Sequence, residues 1–491
     1  MLKRGTVLFG LFAFVLGLLI TGLLNINLKF SKDVSSLKSS KVKVLCESRG
    51  FIYDRNHNPL VNEFIYNKNY YINKNKSINE ITVTRYSDYQ LCKHLIGYTD
   101  SSGMAVCGLE KSYDDILSYY SGNVSLNYNV SATNRIIGEL ENPEYNNYLS
   151  KGGIVLTIDK NIQFISEKCA DDGGLDKGAV VVMDVSSSDI LALVSRPDYD
   201  INNIKEVIND NKNSPLINRA LTQYAVGSVF KPIIACAALE KGINPKTEYK
   251  CTGKIKIADT VFECHKKDGH GKIDLFTATA NSCNTYYINL TRDIDSSYIV
   301  DTAEKFGFGS RTEIADGIFS DSGILPDEDK MTVGEKANLS FGQGVLMASP
   351  VQLAASYAAI ANRGVYNQPF VIDSMVDENL IEFKKVIKPP SRRVVSEKTA
   401  RTVLKALEKT VQEGSGINAL PRNTTAAGKT ATAQSGWFEN GKEITHSWFV
   451  GLFPADKPEY VIVIMKENGI SGSKDCAPIF KSIAELITSY E

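Results

Sequence analysis

The chain has 491 residues, which is enough for two or three domains and a large hydrophobic core. Its formal net charge is −1, and 23% of its residues are charged. Because a nucleic-acid-binding protein carries a basic face or stripe, this balance argues against nucleic acid as a partner.

The N-terminal segment has the composition of a membrane anchor. Lys3 and Arg4 precede an uncharged apolar run over residues 5–24, which is long enough to span a bilayer. The alternative is a cleaved signal peptide, but the run exceeds a usual signal-peptide core and no small-x-small site closely follows it. We therefore predict an anchor within residues 1–25, with the N-terminus in the cytoplasm and the rest of the chain outside.

Residues 26–150 have little continuous apolar pattern of their own. The Ser- and Lys-rich residues 26–45 are predicted to form a stalk. A short strand is predicted near Arg49–Arg55, a helix over Thr84–Tyr98, and hairpins between Ser121 and Asn147. We predict that this region is an elongated, mixed pedestal module that carries no motif tied to chemistry.

From Gly153 onward the apolar segments become longer. Strands are predicted over Ile154–Asp159, Gly178–Asp184, Ile190–Ser195, Ala426–Ser435, Ser447–Phe453 and Glu459–Met465, and helices over Lys160–Ala170 and Phe480–Tyr490. Strands at both ends of the region with helices between them predict one α+β domain over residues 151–491, in which a sheet packs against a helical cluster.

The nine cysteines form no recognisable metal motif. An odd number outside the cytoplasm leaves at least one thiol free. Cys251 and Cys264 are the pair that we predict as a disulfide. No C-x-x-C pair or histidine cluster has zinc-site spacing, and His265 and His270 flank a polar loop. We therefore expect no metal and no cofactor.

We predict a buried helix over Ala225–Glu240, with a serine and a lysine near its N-terminus. Gly227 permits a sharp entry, and Pro232 falls in the first turn, where a missing N–H costs little. Ser228 and Lys231 are three residues apart and so share one face. A serine hydroxyl needs a base to become a nucleophile, and a lysine in a dry pocket near a second cation can be that base.

Two further motifs carry polar side chains. Ser282-Cys283-Asn284 follows a helical stretch and places a hydroxyl and an amide side by side, which suits proton relay and the holding of a substrate amide. Cys283 lacks a histidine placed in sequence to activate it, so we interpret it as a small buried thiol.

Lys429-Thr430-Ala431-Thr432 is predicted on a strand of small and hydroxyl-bearing residues. A substrate backbone can lie against such a strand edge. Lys429 and Thr430 can bind a carboxylate, and a backbone N–H there can donate to an oxyanion.

The order of the three motifs carries more weight than any one of them, because Ser-x-x-Lys occurs three other times in the chain. Ser-x-x-Lys, Ser-x-Asn and a late Lys-Thr-small strand are typical of β-lactamases and penicillin-binding proteins. The chain resembles the class B penicillin-binding proteins, which are monofunctional peptidoglycan transpeptidases. Further matches are Arg49-Gly-Phe-Ile-Tyr-Asp-Arg55, Gly108-Leu-Glu110, Leu156-Thr-Ile-Asp159, Asn218-Arg-Ala220 and Ser340-Phe-Gly-Gln-Gly344.

The resemblance implies the penicillin-binding transpeptidase fold, an antiparallel sheet packed with a helical subdomain, preceded by a pedestal of the dimerisation-domain type. It maps the family's site onto catalytic Ser228, Lys231 and Ser282, and onto substrate-binding Asn284, Lys429, Thr430 and Thr432. In this mapping Ser228 is acylated, Lys231 is the base and Ser282 relays a proton. The oxyanion hole would use the backbone N–H groups of Ser228 and Thr432.

The resemblance also implies the substrate and the partners. Ser228 would attack the penultimate D-Ala of a peptidoglycan stem peptide, and an amine of a neighbouring stem would resolve the acyl-enzyme. β-Lactams would acylate the same serine. A membrane glycosyltransferase and division or elongation proteins are the expected partners, and the choice among division, elongation and sporulation stays open.

Ala431 departs from the family pattern, which usually has glycine at this position. A methyl group here could narrow the cleft, although alanine is the smallest possible change. The alternatives to a transpeptidase are a D,D-carboxypeptidase, which differs only in using water as acceptor, and a weakly active or non-catalytic cell-wall scaffold. A β-lactamase would need neither residues 26–150 nor an anchor.

Overall fold

The computed structural model describes residues 2–36, 39–74, 76–131, 133–439 and 441–490. These residues form two compact units whose segments interleave along the chain. The first unit draws on residues 1–49, 65–83 and 121–150, and the second draws on residues 50–64, 84–120 and 151–491.

Strand Phe51–Tyr53 shows why N-terminal segments belong to the second unit. It pairs in parallel with Gly153–Leu156, so that Phe51 lies opposite Gly153. Leu117 also accepts a hydrogen bond from the Gly50 N–H. The region predicted as one module over residues 26–150 is therefore divided between both units, because local sequence patterns do not reveal a pairing between strands so far apart.

The first unit begins with the helix Leu2–Ser36. Its segment Gly5–Ser31 is long and apolar enough to cross a membrane, and it is fully exposed. No glycine or proline interrupts residues 25–36, so the helix continues beyond the apolar run. The predicted stalk is therefore helical as far as Ser36, and the strand Ser39–Ser48 follows.

The rest of the first unit is β-structure with a small core. Ser39–Ser48 pairs antiparallel with Gly122–Val130, which also pairs with Ile136–Ile137 and Glu144–Asn146. Phe64–Asn73 and Lys76–Thr84 form a separate two-stranded sheet. The buried residues Leu45, Val124 and Leu126 form the centre of the core.

A five-stranded antiparallel sheet is the centre of the second unit. Its strand order is Ile190–Arg196, Gly178–Asp184, Tyr460–Lys466, Lys442–Phe453 and Ala427–Glu439. The predicted hairpin and the three predicted late strands are confirmed, and the strand that carries Lys429 lies at one end of this order.

Both faces of this sheet are buried. Successive side chains of a strand point to opposite faces. Val181 packs in the same cluster as Ile233 of the helix Lys231–Glu240, whereas Val180 packs with Phe480 of the C-terminal helix. The strands therefore read as continuous apolar runs rather than as alternating ones.

Helices complete the second unit. They span Lys93–Ile96, Gly108–Ser112, Asp114–Tyr119, Lys160–Asp172, Lys231–Glu240, Leu275–Ala280, Asn284–Leu290, Ser296–Lys305, Val333–Leu339, Pro350–Ala361, Glu397–Glu413, Gly472–Asp475 and Ala477–Tyr490. Short strand pairs join Tyr224–Ala225 to Met347–Ala348, Tyr249–Cys251 to Gly271–Ile273, and Lys254–Ile257 to Thr260–Glu263. Strand Gly153–Leu156 also pairs with Ile372–Val376, which pairs with Glu382–Lys385.

The helix predicted over Thr84–Tyr98 is wrong. Only Lys93–Ile96 is helical, because Cys92 before it adopts the left-handed conformation with φ 56°. A right-handed helix cannot continue through such a residue.

Candidate active site

Ser228 lies in a tight turn at the entry of a buried helix. Gly227–Phe230 forms a 3₁₀ turn that continues into the helix Lys231–Glu240, so the α-helix begins later than predicted. Gly227 has φ 62°, a conformation that favours glycine. A Cβ atom at this position would lie 3.1 Å from the Cβ atom of Ala433. The turn is therefore pressed against the strand that carries Lys429.

Three hydrogen bonds to the backbone stabilise this turn and the residues next to it. The Gly227 N–H donates to the Gly342 carbonyl over 3.0 Å. The Trp448 indole Nε1–H donates to the Ala225 carbonyl over 3.0 Å, and the Tyr357 hydroxyl donates to the Val229 carbonyl over 2.8 Å. Sequence reasoning missed Trp448 and Tyr357 because a buried aromatic residue in a strand or helix looks like ordinary core.

Lys231 is fully buried, and its side chain reaches the second motif. Lys231 Nζ lies 2.7 Å from the Ser282 carbonyl oxygen, 3.1 Å from Ser282 Oγ and 2.7 Å from Asn284 Oδ1. Burial lowers the pKa of Lys231 to about 7, although Cys283 and Cys264 act in the opposite direction. A neutral amine, which can accept a proton, is therefore accessible near neutral pH.

Ser282 has an unusual backbone that serves this contact. Its φ is 52°, in the left-handed region, where a residue with a Cβ atom is strained. The conformation lets both the carbonyl and the hydroxyl of Ser282 meet Lys231. Asn284 begins the helix Asn284–Leu290 directly afterwards, and Cys283 between them is buried.

Lys429 and Thr430 lie on the strand Ala427–Glu439. Lys429 is fully buried, and Lys429 Nζ donates to the Thr430 carbonyl over 3.0 Å. Burial, and then the charge of Lys231, hold the pKa of Lys429 well below its usual value. Thr430 Oγ1 lies 2.9 Å from Ser415 Oγ. Thr432 is exposed, two residues along the strand.

Ala431 packs towards the serine turn. Only 4% of its surface is exposed, and its Cβ atom would lie 3.5 Å from a Cβ atom placed on Gly227. The methyl group of Ala431 is therefore accommodated, because it faces Gly227, which has no side chain.

The structure brings the three predicted motifs to one place. The lysine of the first motif contacts the serine and asparagine of the second, and the third motif lies against the turn that holds Ser228. The pKa of Lys231 lies near neutrality, the charge of Lys231 lowers the pKa of Lys429, and hydroxyl groups adjoin both lysines. Such a site can deprotonate a hydroxyl and bind an anion.

The cysteine prediction is wrong. All nine cysteines are free, including Cys251 and Cys264. Cys264 Sγ is directed instead towards His270 and Cys283, which sequence spacing did not place together. His265, on the same loop, is exposed.

The three motifs that meet at this helix entry correspond to those of class A β-lactamases and penicillin-binding proteins. The family model described as the penicillin binding protein transpeptidase domain matches residues 178–485. The chain belongs to this family.

The sequences of known relatives support the assignment of the chain to this family. Stage V sporulation protein D of Bacillus subtilis is 29% identical over 404 residues, which cover 79% of this chain and 60% of that protein. The peptidoglycan D,D-transpeptidase FtsI of Buchnera aphidicola subsp. Baizongia pistaciae is 31% identical over 416 residues, covering 81% and 68%. The chain thus spans about two thirds or less of the length of these relatives.

Solved structures agree with the fold. Penicillin binding protein 3 of Mycobacterium tuberculosis, in complex with aztreonam, superposes with a TM-score of 0.72 at 26% identity, covering 92% of this chain and 97% of that one. The D,D-transpeptidase domain of a peptidoglycan glycosyltransferase from Eggerthella lenta gives a TM-score of 0.72 at 26% identity, covering 91% and 99%.

Proposed function

We propose that this protein is a membrane-anchored peptidoglycan D,D-transpeptidase that works through a serine acyl-enzyme. One observation carries the proposal. The buried amine of Lys231 contacts Ser282 and Asn284, and Lys231 lies three residues after Ser228, which is held in a tight turn. Relatives that bear the name peptidoglycan D,D-transpeptidase supply the substrate class.

In the first half-reaction, neutral Lys231 takes the Ser228 hydroxyl proton as Ser228 Oγ attacks the penultimate D-Ala carbonyl of a stem peptide. A C–O ester bond forms, the C–N bond to the terminal D-Ala breaks, and the leaving amine receives the proton from Lys231 by way of the Ser282 hydroxyl. The Ser228 and Thr432 backbone N–H groups stabilise the oxyanion.

In the second half-reaction, an amine of another stem peptide attacks the ester. Its C–N bond forms as the C–O bond to Ser228 breaks, and the serine recovers its proton. In the first half-reaction, Asn284 holds the amide of the donor peptide, while Lys429 and Thr430 bind the carboxylate of its terminal D-Ala. Lys429 is buried on the strand that lies against the serine turn, and the negative charge of a bound carboxylate would favour its protonated form.

The N-terminal helix supports the proposed location. Gly5–Ser31 is apolar and exposed, and Lys3 and Arg4 precede it. The positive-inside rule then puts the N-terminus in the cytoplasm and the chain after the apolar segment outside. Residues 1–25 serve as the anchor, the rest of the first unit contributes the pedestal, and the second unit carries the transpeptidase site. A membrane glycosyltransferase supplies the glycan strands that are cross-linked.

An exchange assay tests the reaction type. Full-length protein in detergent is incubated with a stem pentapeptide that ends in D-Ala-D-Ala and with a labelled D-amino acid. The proposal predicts release of D-Ala and incorporation of the label, with neither in Ser228→Ala. Release of D-Ala without incorporation of the label would identify a carboxypeptidase. If folded protein neither releases D-Ala nor incorporates the label, the non-catalytic scaffold is the remaining function.

A further inference from the structure

Four side chains with metal-binding atoms converge next to the Ser282-Cys283-Asn284 motif. They are Cys251, Cys264, His270 and Cys283, and we call them the Cys₃His cluster. Their sulfur and nitrogen atoms all lie within 4.8 Å of one another, and the three cysteines are buried. The four residues are spread along the chain between positions 251 and 283, so they form no C-x-x-C motif.

Three of the six distances within the cluster match those of a tetrahedral zinc site. With Zn–S bonds of about 2.3 Å and a Zn–N bond of about 2.0–2.1 Å, two sulfurs lie about 3.8 Å apart and a sulfur lies about 3.6 Å from the nitrogen. Cys264 Sγ lies 3.8 Å from Cys283 Sγ. His270 Nδ1 lies 3.5 Å from Cys264 Sγ and 3.6 Å from Cys251 Sγ.

The groups around the sulfurs are donors suited to thiolates. Thr285 Oγ1 lies 3.2 Å from Cys251 Sγ and 3.4 Å from Cys283 Sγ. His265 Nδ1 lies 4.0 Å from Cys264 Sγ. Hydrogen bonds from such outer groups orient metal ligands and stabilise their charged form.

The local fold gives the cluster a structural purpose. The hairpin Lys254–Ile257 with Thr260–Glu263 and the loop after it are largely exposed, so they have little apolar burial to hold them. Cys251 ends one strand, Cys264 follows the hairpin, and Cys283 precedes the helix Asn284–Leu290. One ion shared by these segments would join the exposed hairpin and its loop to the helix Asn284–Leu290.

We propose that the Cys₃His cluster binds one Zn²⁺ ion, which fixes Ser282 and Asn284 in contact with Lys231. Four protein ligands leave no open position on the metal, so the ion is structural and takes no part in the reaction. On binding, the three thiols lose their protons to solvent, and neutral His270 donates its Nδ1 lone pair. The site extends beyond the proposed acyl transfer and stands independently of it.

Metal content tests the proposal directly. Full-length protein, purified without chelator and under reducing conditions, should contain about one zinc ion per chain by elemental mass spectrometry, as expected for a closed four-ligand site. Exchange for Co²⁺ should give the sulfur-to-cobalt charge-transfer bands and visible bands of a tetrahedral thiolate site. Protein that neither retains zinc nor binds added Zn²⁺ or Co²⁺ would overturn the proposal.

Matched variants assign the ligands. His270→Asn and Cys264→Ser should lose the metal, whereas Cys169→Ser, a buried cysteine elsewhere, and His57→Asn, an exposed histidine elsewhere, should keep it. The milder Thr285→Val keeps the shape of a buried side chain and should lower zinc affinity by about 10–100-fold. Equal metal content in all variants would overturn the assignment, even if some of the ligand variants folded poorly.

A thiol measurement separates the metal site from a disulfide. Peptide mapping under non-reducing conditions should find Cys251, Cys264 and Cys283 unlinked and protected from alkylation until a chelator is added. A disulfide between Cys264 and Cys283 in the native protein would contradict the proposal. Because these readouts do not use the substrate, they stand whether or not the protein proves to be a transpeptidase.

Discussion

Lys231 Nζ lies 2.7 Å from Asn284 Oδ1, at the start of the helix Asn284–Leu290. This contact joins the first and second motifs, which are separated by more than fifty residues of sequence. It holds the lysine in a dry pocket beside the serine turn, where the amine is poised near neutrality.

Replacing Lys231 should slow acylation strongly without unfolding the protein. Lys231→Met removes the base but keeps an unbranched chain in the buried pocket, so penicillin labelling should slow by about 10²–10⁴-fold, the usual contribution of a general base. The second-order rate of labelling with a fluorescent penicillin measures this. Lys241→Met, an exposed lysine beyond the end of the same helix, is the control and should label normally.

Ser282→Gly should separate catalysis from stability. Glycine adopts the observed φ of 52° without strain, so thermal stability should be unchanged or higher. Loss of the hydroxyl that contacts Lys231 should nevertheless slow acylation by about 10²-fold, because proton relay is lost. A variant that is as stable and as fast as the parent would show that this hydroxyl has no catalytic role.

The size of residue 431 should control the serine turn. Ala431→Gly should retain labelling, because the methyl group packs against Gly227 rather than completing the reacting site. Ala431→Val adds bulk towards Gly227 and should displace the turn, slowing labelling at least about tenfold through misplacement of the nucleophile. Comparison of labelling rates in the two variants checks this, and faster labelling in the valine variant would contradict it.

His94 should make the protein less stable in acid. Burial lowers its pKa to about 4 from 6.5, and Arg196 and Arg219 act in the same direction, while the Pro215 carbonyl and Asp198 oppose them. Between these values the unfolded chain binds the proton more tightly, so stability falls as pH drops from 6.5 to 4. The loss is on the order of 2–3 kcal/mol at about 1.4 kcal/mol per pKa unit.

His94→Gln should flatten this dependence, since glutamine can still donate to the Pro215 carbonyl but does not titrate in this range. Thermal unfolding midpoints followed across the same pH range measure the effect. His57→Asn, at an exposed histidine with φ 59°, is the control. Parallel pH profiles for His94→Gln and the parent protein would rule out this role for His94.

The sequence predicted the central sheet and the three motifs well, because buried strands such as Gly178–Asp184 have strong local patterns. It failed where distant segments meet. The pairing of Phe51 with Gly153 and the meeting of Cys251 with Cys283 depend on tertiary structure alone. The left-handed backbone conformation of Cys92 was also not predictable, because the residue type does not indicate it.

The proposed acyl-enzyme at Ser228 can be detected as a covalent adduct. Full-length protein in detergent is incubated with a fluorescent penicillin, digested, and analysed by mass spectrometry. We expect one adduct on the peptide that contains Ser228, absent in Ser228→Ala. An adduct on another residue, or none on folded protein in which Ala431→Gly also fails to label, would contradict it.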